Sequence, residues 1–226
     1  MFSRLFALVT LLIATSTYAL SLADLSNRDA SGGLKEALTQ GATKAVAKLG
    51  KTDGFLGNAK VKIPLPESLQ KVEGLMRTFG MGQYADELEV GMNRAAEAAV
   101  PEARALLVNS IKQMSVQDAK TILTGGDDAA TQYFKRTTSV PLGDKFKPIV
   151  KKAMEKVKLA EKYDQFAEGA AKYGLLKEED AHLDTYVTRK ALDGLYLMIA
   201  EEEKEIRTNP VAAAGSLAKK VFGLLH

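Results

Sequence analysis

The chain has 226 residues, with 31 basic and 28 acidic side chains, a formal charge of +3, two histidines, no cysteine and no tryptophan. The missing cysteine excludes disulfides, thiolate metal sites, a cysteine nucleophile and a lipid-bearing cysteine anchor. Near-balanced charge and few aromatics give no footprint for nucleic acid, so neither DNA nor RNA is expected as a partner.

The first nineteen residues have the build of a secretory signal peptide. Arg4 is followed by an apolar run from Leu5 to Ala14, and Thr17-Tyr18-Ala19 ends the segment with small residues at its first and third positions. That run is about half the length needed to span a bilayer, so cleavage after residue 19 is expected, not anchoring. Residues 20–226 then form one exported, soluble domain, large enough to bury a core.

Apolar residues recur at three and four, so this remainder reads as helical almost throughout. Leu34, Leu38, Ala42, Ala45, Val46 and Leu49 form one stripe, and Gly50 stands where a helix turns left-handed to stop. Between Lys51 and Pro66 the pattern changes, with Val61, Ile63 and Leu65 alternating against Lys60, Lys62 and Pro64 in a loop or lone short strand. Pro66 opens a helix carrying Leu69, Val72, Leu75, Met76 and Phe79, which Gly80 and Gly82 close. Ala85, Leu88, Met92, Ala95, Ala96 and Ala99 give the next helix a small-residue face, and Pro101 breaks or kinks it before Leu107, Ile111 and Met114. Ser115 and Asp118 form a capping box for a brief helix that stops at Gly125.

Gly125-Gly126-Asp127-Asp128 is a tight reversal in which either aspartate suits the cap of the following helix. Adjacent carboxylates beside glycines also suit a hard cation, but the ligand spacing of a calcium loop is absent and capping accounts for both. After Thr137-Thr138-Ser139 a helix is expected from about Leu142 to Val157, with Pro148 near its start or kinking it. Phe146, Ile149, Val150, Ala153, Val157 and Ala160 share one sector, flanked by Lys145, Lys152 and Lys156 on one side and Lys147, Lys151, Lys158 and Lys162 on the other. Such a face suits either a membrane surface or the protein core, and its width is what core packing requires. A further helix runs to Tyr173 and Gly174. Leu183 to Arg207 is the most apolar helical pattern after the leader and should be central, and Asn209-Pro210 opens a last helix.

Catalytic motifs are scarce. His226 is terminal, and His182 lies two residues from Asp180 and from Asp184, a spacing that does not share a helix face. Glu201, Glu202, Glu203 and Glu205 read as a solvated helix end, with Glu203 pairing Arg207 and Glu201 pairing Lys204. The Glu-x-x-His motif of di-metal bundles is missing, and no metal or cofactor is expected. Asp193 and Gly194 interrupt the apolar helix, Gly194 admitting a close neighbour or ligand and Asp193, if buried, requiring a partner such as Arg189.

Seven blocks in order give the chain a specific resemblance. They are Leu20-Ser21-Leu22-Ala23-Asp24-Leu25-Ser26, Leu34-Lys35-Glu36-Ala37-Leu38, Gly54-Phe55-Leu56, Ile63-Pro64-Leu65-Pro66, Asn93-Arg94-Ala95-Ala96-Glu97, Gly125-Gly126-Asp127 with Ala129-Ala130-Thr131, and Ala191-Leu192-Asp193-Gly194-Leu195 leading into Glu201-Glu202-Glu203. In these the chain resembles the bacterial domain-of-unknown-function family 4197. The resemblance implies an exported all-helical protein, mostly of Gram-negative bacteria, and brings no active site with it.

The expected architecture is therefore an all-α, single-domain bundle of about eight to ten helices after a cleaved signal peptide. The leading functional expectation is a non-enzymatic binding module for a lipid or other apolar small molecule, or for an envelope protein, with Arg94, Asp127, Asp193 and Gly194 as candidate ligand-binding residues. A structural or interaction module of the cell envelope is the second class. An enzyme is the third, and it requires Asp127, His182 and Asp193, with Arg94, to meet in one polar pocket.

Overall fold

The computed structural model describes residues 27–172 and 182–209. The expected leader, the stop at Gly174 and the helix after Asn209 lie outside the described residues. Among those described the chain is helical with no β-strand, and no helix is long and apolar enough to cross a membrane.

Helix α1 (Asn27–Leu49) buries the expected stripe from Leu34 to Leu49. Gly50 follows it but is not left-handed, since Gly80 is the one described glycine with positive φ. Its small size answers a different need: a Cβ at Gly50 would lie 2.9 Å from Cγ of Pro101.

Residues 51–66 form turns and an extended run, not a strand. The alternation still sorts the side chains, burying Phe55, Val61, Ile63 and Leu65 and exposing Lys60, Lys62 and Pro64. Helix α2 (Glu67–Thr78) departs from expectation, because none of its residues is fully buried. Leu69 and Met76 touch the core, while Leu75 and, just beyond the helix, Phe79 remain 65% and 70% exposed. Periodicity reports that a helix has an apolar face, not that anything covers it.

Helix α3 (Gly82–Ala99) buries its whole small-residue face. A 3-10 turn (Val100–Glu102) holds Pro101 and separates α3 from α4 (Ala103–Gln113), which is the expected break. Helix α5 (Val116–Thr124) starts at the expected capping box: Ser115 Oγ accepts the Asp118 N–H at 3.0 Å, and Asp118 Oδ2 accepts the Ser115 N–H at 3.2 Å.

Helix α6 (Ala129–Met154) is continuous where two helices were expected, with Pro141 and Pro148 inside it. Thr137, Thr138 and Ser139 are accommodated within it, donating their hydroxyls to the carbonyls of Tyr133, Phe134 and Lys135, four residues earlier. Each proline removes one helical hydrogen bond. Fully buried Phe134, Leu142 and Phe146, spread along the same face, hold the helix together through the interruptions. The flanking lysines are solvated and the apolar sector faces the core, so this face is not free to lie on a membrane.

Helix α7 (Lys158–Lys172) precedes α8 (Leu183–Thr208). The latter is central as expected, touching α1, α3, α6 and α7. Helices α6 and α8 run antiparallel, fixed by Thr131 against Glu203 and by Thr138 against Tyr196.

Candidate functional site

Three residues of α3 hold the 51–66 segment. Asn93, fully buried, accepts the Ile63 N–H at 2.8 Å and donates to the Ile63 carbonyl at 2.9 Å, doing for one residue what a neighbouring strand would do. One turn on, Glu97 Oε1 accepts the N–H groups of Phe55 and Leu56 at 3.0 and 3.2 Å. Arg94 bridges the two sides, donating to Glu97 at 2.6 Å and to Asp53 at 2.7 Å. Asp53 is the one described non-glycine residue with positive φ, and the guanidinium secures that turn. Arg94 is thus a brace of the fold.

Gly194 faces the same segment. A Cβ there would lie 2.7 Å from the Phe55 ring and 3.2 Å from Val61, so the neighbour admitted by this glycine is Phe55. Four of the seven sequence blocks, those around Phe55, Ile63, Asn93 and Gly194, meet in this one arrangement.

The acidic end of α8 is not the solvated cluster expected from sequence. Glu202 and Glu203 are buried. Glu202 receives Lys44 at 2.8 Å and Lys48 at 2.5 Å, both from α1. Glu203 caps α6, accepting the N–H groups of Ala130 and Thr131, each at 2.9 Å. Its expected pair with Arg207 forms at 2.9 Å, whereas Glu201 pairs with Lys60 instead of Lys204. The aspartates expected to cap α6 do not: Asp128 makes no side-chain cap and accepts from Gln132, while Asp127 is exposed. The incoming Glu203 carboxylate already satisfies the helix N–H groups.

A groove of about 470 Å³ opens between α6 and α8, within the size range of small-ligand sites. Along α6 its wall is Lys135, Ser139, Gly143 and Lys147, a stripe at four-residue spacing with Asp144 beside it. Along α8 it is Thr185, Thr188, Arg189, Leu192, Asp193 and Tyr196. Two features distinguish it. Thr188 is 8% exposed, and its hydroxyl has no hydrogen-bond partner. Gly143 sits mid-helix, where glycine costs about 1 kcal/mol relative to alanine, yet a Cβ there would meet nothing within 4 Å. The close approaches at Gly194, Gly91 and Gly50 account for those glycines; Gly143, like Gly74 within α2, has no such neighbour, and here the missing side chain leaves open space in the groove wall.

At one end, Tyr196 shares hydrogen bonds with Thr138 at 2.9 Å and Ser139 at 3.2 Å, and Lys135 lies 5.9 Å from its ring centre. Burial pushes the Tyr196 phenol above its ordinary range, so it stays neutral. At the other end Arg189 lies over the Tyr186 ring, 5.5 Å from its centre.

Of the residues singled out from sequence, Asp193 lines the groove and is exposed, not buried against Arg189. Gly194 faces the opposite side of α8, Arg94 braces the 51–66 segment, and Asp127 stands beside the cap formed by Glu203. His182, at the start of α8, has Nδ1 3.7 Å from Glu168. On a helix rising 1.5 Å per residue, His182 and Glu203 stand about 30 Å apart, so His182 and Asp127 do not share a pocket with Asp193. Among the described residues no group of three or more His, Asp or Glu side chains is placed to hold a metal ion. Thr188 and Gly143 were missed; the stripe of Lys135, Ser139, Gly143 and Lys147 was the available signal.

Fold and groove together define an all-helical protein with one polar-rimmed cleft between its two longest described helices. The chain belongs to the family described as Protein of unknown function (DUF4197), whose model matches residues 24–223. No curated protein and no solved structure matches it.

Proposed function

We propose that this protein is an exported, non-enzymatic ligand-binding module: residues 1–19 are removed on export, and residues 20–226 act as a single helical domain that takes a small molecule in the α6–α8 groove. The observation that carries the reading is a ligand-sized groove between the two long helices whose wall includes a glycine without a packing role, Gly143.

Native mass spectrometry and solvent extraction of protein purified from the envelope fraction test this. Expected are a new N-terminus near Leu20 and a co-purifying small molecule that Gly143→Leu displaces. Recovery of empty protein only, with no uptake on titration, would remove the ligand reading.

One observation favours a second reading, an interaction module for an envelope protein. Val72, Leu75, Phe79 and Met81 expose apolar surface along α2 and the turn after it. Crosslinking in envelope extracts should then capture a complex that Leu75→Ser with Phe79→Ser abolishes. An identical crosslinking pattern for the double variant argues against this reading.

A further inference from the structure

The second half of α6 and the start of α7 expose lysine and little else. Between Asp144 and Glu155 the exposed side chains are Lys145, Lys147, Pro148, Lys151 and Lys152. Lys156, Lys158 and Lys162 continue the series, all exposed, with Glu155 and Glu161 among them. Residues 144–162 thus hold seven lysines and three carboxylates, a net charge of +4 against +3 for the whole chain, which leaves the remainder slightly acidic. Elsewhere Lys44, Lys48, Lys60 and Lys62 each meet a glutamate. None of the seven lysines from 145 to 162 forms an ion pair with a described residue. At about 100° per residue, Lys145, Lys151 and Lys152 stand within about 60° of Pro148 around the helix, and Lys147 about 100° from it. The opposite side is occupied, with Leu142, Phe146, Val150 and Met154 buried in the core. A flat anionic surface laid over Pro148 therefore meets the first three ammonium groups together, with Asp144 and Glu155 at the two ends of the band.

We infer that this face adsorbs to a bilayer rich in anionic phospholipid, by charge alone and without insertion. The apolar sector of α6 is already in the core, so the helix offers a membrane only its lysines. Clusters of about four to eight basic side chains are what an anionic bilayer recruits, each lysine strengthening adsorption about fivefold. Composition separates a bilayer from other polyanions. Nucleic acid is held by arginine forks and stacked aromatics, whereas residues 144–162 contain no arginine and one aromatic, the buried Phe146. Protein–protein interfaces are depleted of lysine and centred on apolar anchors, and no large apolar residue is exposed between 144 and 162. A lysine is a point charge on a flexible stem, which suits the mobile headgroups of a fluid bilayer. Apart from Asp144 and Lys147, which border both, this face is distinct from the α6–α8 groove and does not depend on it.

Co-sedimentation of the purified protein with vesicles of phosphatidylcholine, alone or with about 30% phosphatidylglycerol, tests the inference. At about 0.1 M salt the anionic vesicles should bind about tenfold or more tightly than the neutral ones, and about 0.5 M salt should release the protein. The triple variant Lys145→Gln, Lys151→Gln, Lys152→Gln should weaken that binding about tenfold or more. A control, Lys51→Gln, Lys71→Gln, Lys120→Gln, removes the same charge from exposed lysines outside the band and should bind like the parent. All six positions are exposed, so both variants should melt like the parent. Gly143→Leu should leave vesicle binding unchanged, so the groove and the lysine face fail separately. Equal loss in the two triple variants would reduce the effect to net charge and overturn the assignment. Sedimentation that does not depend on phosphatidylglycerol, or none at all, overturns it too. Tighter binding to duplex DNA or to polyglutamate than to anionic vesicles at the same salt would replace the bilayer with another polyanion.

Discussion

Oε2 of Glu203 accepts both the backbone N–H and the hydroxyl of Thr131, each at 2.9 Å, so a carboxylate near the end of α8 supplies the N-terminal cap of α6. Its other oxygen takes the Ala130 N–H and Arg207. Glu203→Ala would leave these helix N–H groups unpaired and remove the carboxylate that Arg207 meets at 2.9 Å. We expect a loss of about 3–5 kcal/mol in urea unfolding at neutral pH. A loss below about 1 kcal/mol would mean that water replaces the cap.

Two glycines of the long helices should respond in opposite directions to the same change. Gly194→Ala pushes a methyl into Phe55 and should cost about 1–3 kcal/mol. Gly143→Ala meets open space and should gain up to about 1 kcal/mol from helix propensity. Thermal melts of the two variants, measured side by side, check the contrast; equal effects would contradict the packing described for Phe55.

Asn93→Leu keeps the side-chain volume and removes both bonds to Ile63. Two backbone groups lose their partners in the core, at about 1–3 kcal/mol each. The expected signature is amide exchange at Ile63 quickened well beyond that at core positions of α3. Unchanged protection there would show that Asn93 does not hold the segment.

The capping box predicts a pH dependence. Hydrogen bonds from the Ser115 hydroxyl and backbone N–H hold the Asp118 carboxyl below its ordinary value of 3.8. A depressed folded value means that ionised Asp118 stabilises the fold above pH 3.8 and that this contribution is lost as pH falls through the lower, folded value. Asp118→Ala should therefore cost about 1 kcal/mol near neutral pH, and its melting temperature should converge on that of the parent in the acid limb. A difference that stays constant with pH would contradict the assignment.

What was legible in the sequence was local. The stripes of α1 and α3, the break at Pro101 and the Ser115–Asp118 box depend on residues a turn or two apart, and all are present. What was not legible depends on distant partners. Glu203 reads as solvated because nothing near it reveals that α6 begins 2.9 Å away, more than seventy residues earlier in sequence. Gly143 and Thr188 are each unremarkable until antiparallel packing sets them on facing walls. The exposed face of α2 shows the converse: its pattern is as good as that of α1, but no element packs over Leu75 or Phe79. The run through Pro141 was misread because propensity says where a helix is weak, and burial on both sides decides whether it breaks.

The 51–66 segment has a kinetic consequence. Its hooks, Asn93, Arg94 and Glu97, lie 30 to 42 residues on in α3, while the notch that receives Phe55 lies at Gly194, far along the chain. Contacts of such unequal span cannot close together, because a longer loop costs more entropy to shut and is compensated later. The segment should therefore hang on α3 early in folding and snap shut only when α8 arrives. In the native state it should open as one unit with that central helix, and not fray like an ordinary loop.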